Sequence, residues 1–279
     1  MRKVIGLDIG GTNTRAALID EELRIEKTVI RPTVSGDLPS FLESIASAVA
    51  DLNPEQEGVC SLAGGVPGRV RQDGYVYALP NVHISSIPLS SFLSERFHLP
   101  VSIINDAEVA ALAEANVGPF SKAKSLFFVT VSTGLGGALT VDGKIRSSSY
   151  EIGHTLFPYQ GKTYELEHLA SGSGIVRLCS LNGLEVSSAA EFFSLVKGNN
   201  PLAKKVYEDW MGLLVKFFTM VQDLFSPEIV AMTGGVMKSQ EVFFSDLRSR
   251  LPYVNLHPCF HGQLAGLLGA GVLAFQTLD

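Results

Sequence analysis

The sequence predicts an α/β fold built from two related halves. Three observations carry this. Short apolar stretches of strand length alternate with helical stretches along the chain. A strand, a polar Gly-Gly turn and a second strand occur at residues 4–18 and again at 126–141, an offset of about 122 when Asp8 is laid on Thr130. With 279 residues, 46% hydrophobic and 18% charged, the chain can fill one large domain or two of ordinary size.

The elements follow in order. Val4 to Asp8 reads as a buried strand and Ala16 to Ile19 as its hairpin partner, joined through Ile9-Gly10-Gly11-Thr12-Asn13-Thr14. Residues 22–34 make a further strand. Ser40 to Leu52 is a helix, with Ser40 as N-cap and Glu43 three residues later as in a capping box. Gly58 to Leu62 is a short strand that Gly64-Gly65-Val66-Pro67-Gly68 breaks, and Val76 to Leu79 is extended up to Pro80-Asn81. Leu89 to His98 is a helix and Val101 to Ile104 a strand. Asn105-Asp106 joins that strand to a helix over Ala107 to Asn116, stopped by Gly118-Pro119. Leu126 to Val131 is a strand, Ser132 to Gly137 a turn, and Ala138 to Val141 the returning strand. Glu151 to His154 and Glu167 to Gly174 read as polar, glycine-marked loops. Ala189 to Lys197 and Leu202 to Phe225 are helices, the second with Val206, Trp210, Leu213, Phe217 and Val221 at helical spacing. Ile229 to Met232 is a strand ending in a third glycine turn, and a last helix covers about 264–278.

A net charge of −6 gives no electrostatic case for nucleic acid. The most apolar run, Leu264 to Phe275, is shorter than a membrane span and holds Gly266, Gly269 and Gly271. The apolar run after Arg2 and Lys3 stops at Asp8, so it does not read as a signal peptide. Cys60, Cys179 and Cys259 are odd in number and far apart, which suits a reducing cytoplasm rather than a disulfide framework.

Neither GxxxxGK[ST] nor a strand-linked GxGxxG occurs. Instead, three glycine turns each follow an apolar strand and carry a threonine: Gly10-Gly11 with Thr12, Gly134 to Gly137 with Thr133, and Gly234-Gly235 with Thr233. Glycine permits dihedrals and close approaches that a Cβ would block, so such turns can wrap an anion such as a nucleotide phosphate; each alone is also an ordinary hairpin turn. Asn13 adds a polar side chain to the first turn, and Asp8 at its strand end can partner a metal ion or water. Asp106 is either a helix N-cap, worth roughly 1 kcal/mol, or a general base worth roughly 10²–10⁴-fold. The helix N-terminus would keep it ionised. Asn105 beside it can donate and accept toward a polyol. Glu151, His154 and Glu167 supply two carboxylates and an imidazole suited to neighbouring hydroxyls. A zinc site and solvated loop carboxylates remain open readings of the same three. His83, His98, His168, His257 and His261 read as structural.

Together these segments resemble the ROK family of sugar kinases and related repressors, within the actin-like, hexokinase-like ATPase superfamily. The resemblance rests on Asp8-Ile9-Gly10-Gly11-Thr12, Gly65-Val66-Pro67-Gly68, Pro80-Asn81, Asn105-Asp106-Ala107, Ser132 to Gly137, Glu151-Ile152-Gly153-His154, Leu166-Glu167 and Thr233-Gly234-Gly235-Val236, in that order. It implies two actin-like, ribonuclease H-like domains with a sugar and ATP cleft between them: residues 1–105 with the C-terminal helix (about 263–279) returning, and 106–262. It implies Asp106 as the base toward a hexose hydroxyl, the 6-hydroxyl above all. Gly65, Asn81, Asn105, Glu151, His154 and Glu167 would serve the sugar. Gly10, Gly11, Thr12, Asn13, Thr133, Gly134, Gly136, Gly137, Gly234 and Gly235 would serve ATP, with Asp8 near Mg²⁺. A homodimer is the family default.

Two departures matter. Family members commonly carry a zinc-binding cysteine cluster before the last glutamate; here Phe157 to Glu165 is shortened and lacks cysteine, so no structural zinc is expected and packing must hold the loop before Glu167. Repressor members carry an N-terminal DNA-binding domain; with the phosphate motif beginning by Asp8, none is expected here. The rival readings are a non-catalytic sugar sensor on the same fold and an actin-like assembly ATPase. The identity of the sugar stays open.

Overall fold

The computed structural model describes residues 2–146 and 151–278. In chain order, β1 (Lys3–Ile9), β2 (Asn13–Asp20) and β3 (Ile25–Pro32) precede α1 (Leu38–Ala50) and β4 (Val59–Val66). A small hairpin of β5 (Val76–Leu79) and β6 (Ile84–Ile87) leads to α2 (Leu89–Phe97), β7 (Val101–Asn105) and α3 (Asp106–Asn116). Then come β8 (Ser125–Val131), β9 (Leu135–Val141) and β10 (Lys144–Ile145), and a second small hairpin of β11 (Leu156–Tyr159) and β12 (Lys162–Glu165). The helices α4 (Glu167–Ala170), α5 (Gly172–Leu181), α6 (Ala189–Lys197) and α7 (Pro201–Phe225) follow. The chain closes with β13 (Ile229–Thr233), α8 (Gln240–Arg250), β14 (Leu256–Pro258) and α9 (Ala265–Gln276).

The internal repeat is real at the level of elements. The larger sheets run β3-β2-β1-β4-β7 and β10-β9-β8-β13-β14, the same order of first, second and third strands followed by two parallel additions. The first hairpin recurs 122 residues later: Lys3 corresponds to Ser125, Ile9 to Val131 and Asn13 to Leu135. The chain packs as two compact units, Met1–Lys122 with Leu139–Ser149 and Phe260–Asp279, and Ala123–Ala138 with Tyr150–Cys259.

In the first unit the inner strands are covered on both faces, which is why β1 and β4 read as nearly unbroken apolar runs. Ile5, Leu7, Ala16 and Leu18 pack with Phe41, Ile45 and Val49 of α1 and Leu89 and Leu93 of α2. The alternate residues Val4, Ala17 and Ile19 pack with Leu267 and Ala274 of α9. The glycines that made 264–275 a poor membrane span are what let α9 lie close. A Cβ on Gly271 would sit 3.0 Å from Ile19 Cδ1. Among the described residues no helix is long and apolar enough to cross a membrane.

In the second unit α7 is the organising helix. Asn200 caps it through the Leu202 and Ala203 N–H groups, with Pro201 in the first turn. Its buried stripe delivers Trp210 against Phe193 and Phe243, with ring centroids 5.3 and 5.0 Å away.

Several boundaries depart from the sequence reading. Asp37, not Ser40, caps α1: its carboxylate accepts from the Ser40 N–H, and Pro39 falls in the first turn, where it lacks nothing. β4 runs through Gly64 and Gly65 to Val66 rather than stopping at Leu62, because pairing with β1 and β7 continues there. β9 begins at Leu135, so Gly136 and Gly137 are strand residues, not turn residues. The stretch 167–174 is helical, in α4 and the start of α5.

Candidate active site

In the first unit, the β1–β2 hairpin closes when the Gly10 N–H donates to the Asn13 carbonyl at 2.9 Å. Thr33 braces it from behind, its hydroxyl donating to the Gly10 carbonyl (2.7 Å) and its N–H to the Thr12 carbonyl (2.9 Å). Gly11, Thr12 and Asn13 are left exposed. Glycine is required here by proximity rather than by unusual dihedrals. Neither Gly10 nor Gly11 has positive φ, but a Cβ on Gly11 would lie 2.9 Å from the Cβ of Asn81. The hairpin tip and Asn81 are therefore neighbours.

Asp8, near the end of β1, faces Arg15 across the hairpin, with Nη1 to Oδ2 at 3.7 Å. A Cβ on Gly266 would lie 2.7 Å from its Cγ, so the Asp8 carboxyl rests on the first turn of α9. Burial pushes its pKa up and the Arg15 charge pulls it down.

The residue that caps α3 is Asn105, not Asp106. Asn105 Oδ1 accepts from the Ala107 N–H at 2.9 Å, and the Glu108 carboxylate accepts from the Asn105 N–H at 3.1 Å, completing a capping box. Asn105 Nδ2 also donates to the Gly68 carbonyl at 3.0 Å. With the cap supplied, Asp106 is the first helical residue, and its Oδ1 accepts from the Ala107 N–H (2.9 Å). Gly65 is buried in β4, where a Cβ would lie 3.2 Å from Asp106 Cα, so the missing side chain is what lets α3 begin there.

The Asp106 side chain stays open to solvent, but the mass of protein around it weakens its solvation and raises its pKa to about 6. The Ala107 N–H opposes this, and the charge of Asp8 adds to it. The helix N-terminus therefore does not decide the titration, contrary to the sequence expectation. The group is still mostly ionised at pH 7 and close to the pKa that suits a general base.

In the second unit, the β8–β9 hairpin closes through Ser132 N–H to the Gly134 carbonyl at 2.9 Å. The start of α5 staples its tip: Gly172 N–H donates to the Ser132 carbonyl (2.6 Å) and the Ser173 hydroxyl to the Thr133 carbonyl (2.6 Å). Thr133 is exposed. Gly137 is buried beneath Ile152, where a Cβ would lie 2.8 Å from the Phe128 carbonyl oxygen. Gly234, with φ 107°, turns the chain away from β13 against Val131, and Gly235 opens onto free space.

Glu167 joins this hairpin to the Glu151–His154 turn. Its Oε2 accepts from the Leu135 N–H at 3.3 Å and would lie 2.9 Å from a Cβ on Gly134. Gly153 lies against the Leu135 carbonyl and would place a Cβ 3.3 Å from Glu167 Cβ, so only glycine lets the turn reach this depth. His154 Nε2 stands 3.7 Å from Glu151 Oε2. Glu151, His154 and Glu167 are thus brought together.

One member escaped the sequence reading. Glu165 Oε2 lies 2.9 Å from His154 Nδ1 and 3.6 Å from His168 Nε2, so His168 is not an isolated structural histidine. His154, Glu165 and Glu167 also form a cluster of groups that could ligate a metal. The β11–β12 hairpin carrying Glu165 is held by hydrogen bonds as well as packing. The Tyr159 hydroxyl donates to Asp209 of α7 (2.7 Å) and accepts from Asn182 (2.6 Å). A signal was available: Gln160 and Gly161, both at positive φ, are the two residues of a tight hairpin turn.

Residues 4–277 match the ROK family. The chain belongs to the ROK family. Among its ROK relatives, the N-acetylmannosamine kinase of Salmonella typhi is 29% identical over 290 residues, covering 97% of each chain. The structure of a ROK hexokinase from Thermus thermophilus superposes with a TM-score of 0.84 at 29% identity, over 99% of both chains. That of a ROK family glucokinase from Streptomyces griseus, in complex with glucose and AMPPNP, gives 0.73 at 26% identity over 98% of this chain and 99% of the other. The architecture is the actin-like two-domain α/β fold of these ROK structures.

Proposed function

We propose that this ROK protein is an ATP-dependent sugar kinase that phosphorylates a hexose hydroxyl, the 6-hydroxyl, with Asp106 as general base. The observation that carries the reading is Asp106 itself: first residue of α3, relieved of capping by Asn105, open to solvent, with its pKa near 6. Asp106 takes the proton of the sugar hydroxyl as that oxygen forms its bond to the γ-phosphorus and the bond to the bridging oxygen of ATP breaks. Gly65 acts through position, setting where α3 starts. Asn81, Asn105, Glu151, His154 and Glu167 bind and orient the hydroxyls. The exposed tips Gly11 to Asn13 and Thr133, with Gly134 and Gly136, bind the phosphates, and Gly234-Gly235 receives the adenosine. Gly10 and Gly137 shape the two hairpins. Asp8, carboxyl-bearing and partly buried on a helix N-terminus, has the chemistry to hold Mg²⁺, directly or through water. Bound Mg²⁺ supplies charge neutralisation at the phosphate oxygens. The reaction belongs to the cytoplasm, and a homodimer is the expected assembly.

A coupled assay supplying ATP, Mg²⁺ and a panel of hexoses, including glucose, mannose and an N-acetylated hexosamine, tests the reading. Stoichiometric ADP and sugar phosphate with at least one hexose is the expected result. Sugar binding without turnover would support the sensor instead, and nucleotide-driven polymerisation the assembly ATPase.

A further inference from the structure

We propose that Glu165 is a positioning residue: through its 2.9 Å contact with His154 Nδ1 it fixes the imidazole so that Nε2 is the atom presented to the sugar. The proposal rests on His154 being a sugar contact.

A carboxylate only accepts hydrogen bonds, so the contact places a proton on Nδ1 of His154. Nε2 is then the atom left for another partner, and it points to the side of Glu151, 3.7 Å away. The groups facing His154 are Glu165 from the end of β12, Glu151 from its own turn and Glu167 from the start of α4. His168, also from α4, shares Oε2 of Glu165 at 3.6 Å. A sugar hydroxyl at Nε2 donates to it in the neutral ring and accepts from it in the imidazolium, with the Glu151 carboxylate beside it as an acceptor.

The anchoring of the strand argues that this contact is built rather than incidental. Glu165 ends β12, whose other end, Lys162, pairs with Tyr159, the residue tied to Asp209 and Asn182. Across that hairpin Leu156 pairs with Glu165, and the Leu166 N–H donates to the Thr155 carbonyl at 2.9 Å, which fixes Glu165 opposite a residue two positions from His154.

The test uses the full-length protein as wild type, Glu165→Gln and Glu165→Ala. Long-range ¹H–¹⁵N spectra read the His154 tautomer and titration, and steady-state kinetics with the preferred hexose read KM and kcat against pH. Glu165→Ala should remove the bias to Nδ1–H. It should raise the sugar KM about fivefold, with kcat and the KM for ATP within about twofold, the loss of one hydrogen bond. Glu165→Gln still accepts from Nδ1–H, so it should keep the tautomer and recover most of the wild-type KM. An unchanged His154 spectrum in Glu165→Ala would overturn the proposal, as would one zinc ion per chain in the purified protein, since Nδ1 would then be a ligand. If the spectra change as described but no hexose is turned over, the kinase reading fails and the positioning of His154 stands.

Discussion

Gly269 of α9 and Val109 of α3 touch backbone to backbone: a Cβ on Gly269 would overlap the Val109 carbonyl, 2.7 Å from its carbon. This contact fixes α9 against the helix that begins with Asp106, while Gly266 in the same helix receives the carboxyl of Asp8. Gly269→Ala should therefore destabilise the protein by about 1–3 kcal/mol, an overpacking cost against backbone that cannot yield. Chemical denaturation checks this. A stability equal to wild type would mean that the α3–α9 contact is loose.

The pH profile follows from Asp106. Its pKa is about 6, and a base works only when ionised. Turnover per bound sugar should be full above that value and fall as pH drops through it, tenfold per unit at the acid end. Asp8 contributes to the elevation. In Asp8→Asn the Asp106 carboxyl, followed by ¹³C spectroscopy without nucleotide or metal, should titrate at lower pH than in wild type. A midpoint that does not move would disconnect the two carboxyls.

Trp210 links the core of the second unit to the site. Its indole N–H donates to the buried Ala170 carbonyl at 3.0 Å, at the end of the single helical turn that begins with Glu167. Trp210→Phe keeps most of the ring volume but leaves that carbonyl unpaired, and should cost about 1–3 kcal/mol. Because α4 loses its anchor, the sugar KM should rise as well. Thermal melts and a sugar titration read the two effects separately.

How far the sequence reached depended on range. Hairpins, helix periods and the Glu151-Xaa-Gly-His154 turn were legible because their information lies within a few neighbouring residues. The glycines of β4 misled: Gly64 and Gly65 look like strand breakers, yet in the sheet their missing side chains admit Leu7 and the start of α3. Nothing local could tell that Asn105 rather than Asp106 takes the cap, since both residue types do so. The Glu165–His154 pair and the Tyr159–Asp209 bond join residues 11 and 50 positions apart, so they became visible only in the folded chain.

The central claim is that Asp106 is the base of a sugar kinase, and one comparison tests it most directly. Wild type and Asp106→Ala are assayed with ATP, Mg²⁺ and the preferred hexose, with sugar affinity measured by calorimetry on the same samples. The account predicts that kcat falls by about 10²-fold or more, the scale of lost general-base catalysis, while the sugar still binds within several-fold of wild type. Near-normal turnover in Asp106→Ala would contradict it.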